Sequence, residues 1–286
     1  MHFAVSVPNL DYYADARMLA GLAHDAEEAG WDGFFIWDHI ALPWPIKVID
    51  PWIALTAIAL NTRSIRFGPM VTPLPRRRPW KVARESASLD NLSGGRLILG
   101  VGLGTWPQEF EYLGEALDLK VRAAMLDEGL EVLTGLWSGK PFSYSGKCYK
   151  VQESVFLPPP LQSPRIPIWV AGTWPIKAPF RRAARWDGVQ PIGQNLELNE
   201  MMSPGQIRDM VTYIKAYRDS DTPFDIVHGG MTSGKDLSRD ADIVAAYASA
   251  GVTWWLEAIN PERWGDWQNW PLEAMRQRIL DGPPKV

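Results

Sequence analysis

The residues best equipped for chemistry stand together at Asp38-His39, directly after Gly33-Phe34-Phe35-Ile36-Trp37. An imidazole exchanges protons near neutral pH, and a positioned one contributes ~10²–10⁴-fold to a rate. The adjacent carboxylate would be its partner, a loop cap or an anchor for a ligand. Other candidates follow in chain order. Pro69, Met70, Val71 and Thr72 lie in Gly68-Pro69-Met70-Val71-Thr72-Pro73-Leu74-Pro75, where a glycine inside a strand pattern beside three prolines marks a bulge or a rigid loop near a ligand. Arg76-Arg77-Arg78-Pro79-Trp80-Lys81 is the densest positive charge; it could hold an anionic tail ahead of a helix or simply sit solvated. Leu99-Gly100-Val101-Gly102-Leu103-Gly104-Thr105 carries only part of a dinucleotide fingerprint. Its small residues Gly102, Gly104 and Thr105 would instead let a planar ring lie against backbone. Glu109 offers a carboxylate nearby, or is an exposed first-turn glutamate favoured by a helix dipole. Gly172-Thr173-Trp174, followed by Pro175 at a helix start, has the makings of a phosphate cradle.

Something must position these groups. Four consecutive large apolar residues before Asp38 read as a strand buried on both faces, because a half-exposed strand would alternate with polar residues. Comparable runs at 3–7, 65–71, 97–102, 168–171, 188–190, 224–227 and 252–256 alternate with helix-period segments. In one, Leu19, Leu22, Ala23 and Ala26 share a stripe; in another, Leu126, Leu130, Leu133 and Trp137 do. Asp50-Pro51 and Ser203-Pro204-Gly205-Gln206 are helix starts. Eight strand–helix units predict a (β/α)8 TIM barrel, an α/β fold that places ionisable residues at the C-terminal ends of its strands. A single domain over 1–286 is expected, with an insertion at about 138–165 over the C-terminal face. That segment alternates like a hairpin and ends in Pro158-Pro159-Pro160.

Composition narrows the function. A net charge of −4 gives no general attraction to nucleic acid. A single cysteine, Cys148, excludes an intramolecular disulfide or a cysteine-rich metal site. Zinc-protease, Walker and Gly-x-Ser-x-Gly motifs are absent, so no metal site or nucleophilic triad is expected. No apolar stretch reaches the ~20 residues that span a bilayer, and Met1 to Pro8 lacks a signal-peptide pattern; a cytoplasmic protein is expected. Fifteen tryptophans, several near predicted strand ends (Trp37, Trp44, Trp106, Trp174, Trp254, Trp255), suggest an aromatic-walled pocket or a large aromatic core.

Gly30-Trp31-Asp32 through Asp38-His39, Asp50-Pro51-Trp52, Gly68 through Pro73, Leu89-Asp90-Asn91-Leu92-Ser93-Gly94-Gly95-Arg96 through Gly102, and Pro167 through Gly172 resemble the bacterial luciferase-like family of flavin- and deazaflavin-dependent oxidoreductases. The resemblance runs in order over about two-thirds of the chain, and its most specific piece is the Leu-Ser-Gly-Gly-Arg turn. It implies FMN or coenzyme F-420 at the C-terminal face of the barrel. The ring would lie against a bulge in strand three, with a non-proline cis peptide at Met70-Val71 or its neighbours. The phosphate would sit at Gly172-Thr173-Trp174, and dimerisation would use outer helices. Asp-His after strand two is typical of the F-420 branch, in which a Trp and a Glu follow. Trp44 and Glu109 occupy comparable places, which makes Asp38, His39, Trp44 and Glu109 the catalytic candidates. The loop to Trp44 is one residue longer than the family pattern, and Trp174-Pro175 replaces the familiar second glycine or serine.

The first reading is therefore hydride transfer between F-420 and a small, apolar or planar substrate. His39 would assist proton movement, Asp38 would fix the loop or a cofactor hydroxyl, and Glu109 would be a second proton donor or acceptor. The alternative is an FMN-dependent monooxygenase that uses reduced flavin and O2 and is fed by a separate flavin reductase. A third reading is a barrel that has lost its cofactor and serves as a binding subunit.

Overall fold

Strands form where neither face of the chain meets water, and helices cover them where one stripe is apolar. The computed structural model describes residues 1–285. In chain order the strands are β1 (His2–Val7), β2 (Gly33–Ile36), β3 (Arg66–Pro69), β4 (Thr72–Pro73), β5 (Leu99–Gly102), β6 (Phe142–Ser145), β7 (Lys150–Ser154), β8 (Ile168–Trp174), β9 (Gly188–Gly193), β10 (Asp225–Gly230) and β11 (Trp254–Ala258). The helices are α1 (Ala16–Glu28), α2 (Pro51–Asn61), α3 (Pro79–Ser93), α4 (Leu119–Trp137), α5 (Lys177–Ala183), α6 (Pro204–Lys215), α7 (Leu237–Ser249) and α8 (Leu272–Leu280). The large sheet runs β3-β2-β1-β11-β10-β9-β8-β5-β4. Its pairings are parallel. β3 and β4 are halves of one stave, interrupted at the cis Met70-Val71 peptide. Phe67 of β3 also bridges Leu97 just ahead of β5, so eight staves close into the expected barrel.

Local signals account for the helices. Asp50 caps α2 through the Trp52 and Ile53 amides with Pro51 in the first turn, and Ser203 and Gln206 form the capping box of α6. Leu19, Leu22, Ala23 and Ala26 of α1 are buried, as are Leu126, Leu130, Leu133 and Trp137 of α4. Each such leucine withdrawn from water stabilises the fold by roughly 1.5–3 kcal/mol. The Leu-Ser-Gly-Gly-Arg turn is structural. Gly94 and Gly95 take positive φ values of 72° and 84°, which suit glycine. They aim Arg96 at the carbonyls of Ala59, Thr62, Ile65 and Ser93 and the Thr62 hydroxyl. One buried guanidinium thus ties the ends of α2 and α3 to the start of β3.

The barrel floor is aromatic. Phe35, Trp169 and Trp254 meet inside it with ring centroids 5.2–6.2 Å apart, and Trp169 donates to Asp225 at the start of β10 (3.1 Å). Trp254 is therefore a floor residue. Trp255 and Trp174 turn outward into the layer beneath the helices. None of these three walls a mouth pocket.

The 138–165 segment differs from expectation in its place. β6 and β7 form the predicted hairpin, but its anchors are Glu128 and Glu131 of α4. Beyond it, Gln162 bonds to Asp90, to the Leu97 carbonyl and to Arg66 at the start of β3. The segment runs along the outer helices toward the N-terminal strand ends because it follows a helix that has already returned there.

His228 of β10 faces outward beneath α7, 3% exposed, stacked on Tyr247 with both ring nitrogens lacking a partner. Burial pushes its pKa down to about 4 from 6.5. An unfolded chain takes up this proton below about pH 6.5 while the folded one refuses it until about pH 4. Stability is therefore lost as pH falls through that window, by about 3 kcal/mol in all and about 2 kcal/mol at pH 5. His228→Phe is expected to keep the ring packing and flatten this slope. Urea midpoints at pH 7 and pH 5 test it; a variant as acid-sensitive as the parent would refute the assignment.

Candidate active site

Side chains alternate along a strand, so the inward positions can be followed up each stave. On β8 they are Trp169, Ala171 and Thr173; on β9, Gly188, Gln190 and Ile192; on β11, Trp254, Leu256 and Ala258. In each case the first is buried and the last partly or fully exposed. Ser6, Trp37 and Gly229 end the neighbouring staves in the same way. A Cβ built on Gly229 meets nothing within 4 Å. The interior therefore opens at the C-terminal strand ends into a mouth where Ser6, Ala171, Thr173, Gly229 and Ala258 stand beside the larger Trp37 and Ile192.

Asp38 and His39 arrive at this mouth from β2, and their turn is held from below. Asn9, fully buried, donates to the His39 and Ile49 carbonyls and accepts from the His39 amide. Asp38 is buried and its carboxylate is spent within the protein. Oδ1 accepts from Arg76 (2.6 Å) and Arg77 (3.0 Å), and Oδ2 accepts from the Thr72 hydroxyl (2.7 Å) and Arg77 (3.1 Å). Asp38 fixes the loop and has no oxygen free for a cofactor hydroxyl. The arginine run is likewise committed: Arg76 and Arg77 are buried or nearly so on Asp38, Arg77 lies over Trp52 and Arg78 over Trp80. Only its solvated end is left for an anionic tail.

Glu109 comes from the loop after β5 and is 1% exposed, which corrects the first-turn surface reading. Its Oε1 accepts from the Ile40 amide (2.7 Å), faces His39 Nδ1 at 3.2 Å and lies 2.9 Å from Arg76 Nη1. Burial opposes its charge, yet the His39 hydrogen bond, the Arg76 charge and the Ile40 amide together hold the carboxyl below its usual range. An ionised carboxylate only accepts, so Nδ1 carries the hydrogen and Nε2 is the nitrogen turned away from Glu109. Glu109 is an orienting group for His39 here. Its Oε2 is buried without a partner.

The remaining candidates divide. Met70 and Val71 form the cis bulge, and a side chain at Gly100 would strike the Pro69 carbonyl behind it. Pro69 and Thr72 are buried, and Thr72 serves Asp38. The spaces beside Gly102 and Gly104 are filled by Val71 and Phe110, so these glycines make room for side chains of this chain. Thr105 is exposed on the rim. Trp44 is exposed and meets Trp106 edge-on at 6.0 Å, linking the loops after β2 and β5. Thr173 reaches the mouth, whereas Gly172 faces outward, where a side chain would strike Pro179, and Trp174 packs outward on Phe180 and Tyr213 with Lys177 over its face. Pro175 and Pro179, the latter inside α5, carry no backbone N–H, which leaves fewer amides at this turn for a phosphate.

Sequence reasoning missed the buried partners. Asn9, Arg76 as an ion-pair centre, and the Glu257-Arg263-Arg278 cluster behind β11 were not singled out. Glu257 could have been noticed, because a carboxylate interrupts Trp254-Trp255-Leu256, an otherwise apolar run.

Residues 1–251 match the family model for luciferase-like monooxygenases. An uncharacterized protein of Mycobacterium tuberculosis is 30% identical over 226 residues, covering 72% of this chain and 74% of that protein. An F-420-dependent glucose-6-phosphate dehydrogenase of Amycolatopsis mediterranei is 31% identical over 187 residues, covering 64% of this chain and 55% of that enzyme. Among solved structures, the FMN-bound oxygenating constituent of 3,6-diketocamphane monooxygenase from Pseudomonas putida superposes with a TM-score of 0.74 at 17% identity, covering 100% of this chain and 99% of that one. Among the described residues, no helix is long and apolar enough to cross a membrane.

Proposed function

The chain belongs to the luciferase-like monooxygenase family of flavin- or F-420-dependent oxidoreductases, and from that premise we propose that it transfers hydride between F-420 and a small organic substrate. The observation that carries this reading is the His39-Glu109 pair at the edge of an open mouth beside the Met70-Val71 bulge. The empty space at Gly229 and the partly exposed Ser6, Ala171 and Ala258 fit a planar ring. Val71 and Met70 would support one face of the ring, and Thr173 would border its tail. When bound, a deazaflavin supplies the carbon that donates or accepts hydride.

The chain's own residues supply the rest. His39 Nε2 takes or returns the proton at the substrate oxygen. Glu109 keeps Nδ1–H in place, and Asp38 holds the turn against Arg76 and Arg77. Trp44 and Trp106 line the rim and exclude water.

Parallel titration of the purified protein with F-420 and with FMN, read by ligand fluorescence, tests the reading. Binding of F-420 at least about tenfold tighter than FMN, or about 1.4 kcal/mol, is expected. The reverse order would move the enzyme to the reduced-flavin, O2-dependent branch and call for a partner reductase. Binding of neither would overturn both.

A further inference from the structure

Four ionised side chains from three loops meet beside His39: Asp38, Arg76, Arg77 and Glu109. Two carboxylates face two guanidiniums, so the cluster is balanced. Arg76 alone touches both carboxylates. Its Nη2 donates to Asp38 Oδ1 at 2.6 Å and to the Asp38 carbonyl at 3.0 Å, while Nη1 lies 2.9 Å from Glu109 Oε1. Its side chain is 4% exposed and rises from the short turn Leu74–Arg76 that follows the β3–β4 bulge. Nη2 is hydrogen-bonded at the Asp38 end, whereas Nη1 makes no hydrogen bond among the described residues and holds Glu109 by charge alone; a lysine point charge would not reproduce both contacts together.

We infer that Arg76 is a positioning residue. It clamps the carboxylate that orients His39 to the carboxylate that holds the His39 turn, so that the loops after β2, β4 and β5 keep one mutual register. The inference rests on His39 and Glu109 acting as a pair, and is independent of which cofactor binds. The groups facing Glu109 are His39 and the Ile40 amide from the β2 loop and Arg76 from the β4 side. Withdrawing Arg76 removes the only full positive charge among them. Glu109 should then hold its proton to higher pH, and the imidazole should lose its single orientation.

The test uses the purified protein without cofactor or substrate, so its failure is separable from failure of the hydride-transfer reading. Carboxyl-labelled glutamate, assigned with Glu109→Gln, reports Glu109 titration, and imidazole nitrogen shifts report the His39 tautomer. In Arg76→Met the Glu109 midpoint should rise by about one pH unit or more, and His39 should show a mixture of tautomers. Arg76→Lys should restore most of the midpoint but not the single tautomer. A merely structural role would lower stability and leave both signals of the folded protein unchanged, and that result would overturn the inference. If Arg76→Met does not fold, Asp38→Asn with Arg76→Met keeps the cluster balanced and still deprives Glu109 of its partner; unaltered signals there would refute it equally.

Discussion

His39→Ala is expected to lower turnover by ~10²–10⁴-fold while cofactor affinity changes by no more than about twofold. That loss corresponds to about 3–5 kcal/mol of barrier. The argument begins with access. His39 keeps a 20% exposed side chain where Asp38 and Glu109 are sealed, and Arg77, 17% exposed, is a permanent cation, so His39 is the proton-exchanging group of the cluster that a substrate can touch. Its Nδ1 is occupied by Glu109 and its backbone is held on both sides by Asn9. The ring is also edge-on to Trp37 at 5.9 Å. A nitrogen pinned in this way loses little freedom when a reacting oxygen arrives, which is where pre-organisation gains rate. Alanine removes the proposed proton carrier but leaves the Asp38 cluster and the Arg76-Glu109 contact intact, so the fold and the floor of the mouth should persist. Steady-state kinetics and fluorescence titration on the same preparation separate the terms. Unchanged turnover would eliminate His39 as the proton carrier. A matching loss of cofactor affinity would make it a cofactor contact instead.

The barrel was legible because its strands are apolar on both faces, and the pattern failed where that ceases to hold. Residues 168–171 were expected as a strand, yet β8 continues to Trp174. Residues 224–227 were expected, yet β10 runs to Gly230. The added pieces, Gly172-Thr173-Trp174 and His228-Gly229-Gly230, are small, polar or aromatic because they line the mouth or its back. Backbone pairing continues there without an apolar signature. The same loss of signature hides the site's supports. Asp38 and His39 stand out because they end an apolar run, and the bulge is marked by glycine and prolines. Arg76 and Arg77 looked like surface charge because nothing local shows that their partner lies 38 or 39 residues earlier, across a strand and a helix. For the same reason the residues around Glu109 leave an exposed first-turn reading open beside that of a carboxylate at the mouth, since the groups that bury it come from the loops after β2 and β4.

Glu257→Gln is expected to destabilise the protein by about 3–5 kcal/mol, the penalty for removing one partner from a buried ion pair. Glu257 is fully buried on the outer face of β11. It accepts from the Thr232 amide and hydroxyl, both at 2.8 Å, and from Trp255 Nε1 at 3.0 Å. Arg263 pairs with it, and Arg278 lies 3.4 Å away with a side chain 3% exposed. Both arginines also donate to the Thr232 carbonyl. Glutamine preserves shape and some hydrogen bonds, but strands two guanidiniums beside one another with no anion between them. Their remaining acceptors, carbonyls and a hydroxyl, do not compensate that charge. Because the cluster joins the loops after β10 and β11 to α8, the mouth should loosen on that side before the barrel unfolds. Urea unfolding of parent and variant at pH 7 measures the effect, and a loss below about 1 kcal/mol would show the cluster to be solvated or dispensable. Adding Arg278→Met to Glu257→Gln removes one stranded charge and should recover part of the loss. Recovery would assign the cost to uncompensated charge, and a further additive loss would assign it to packing.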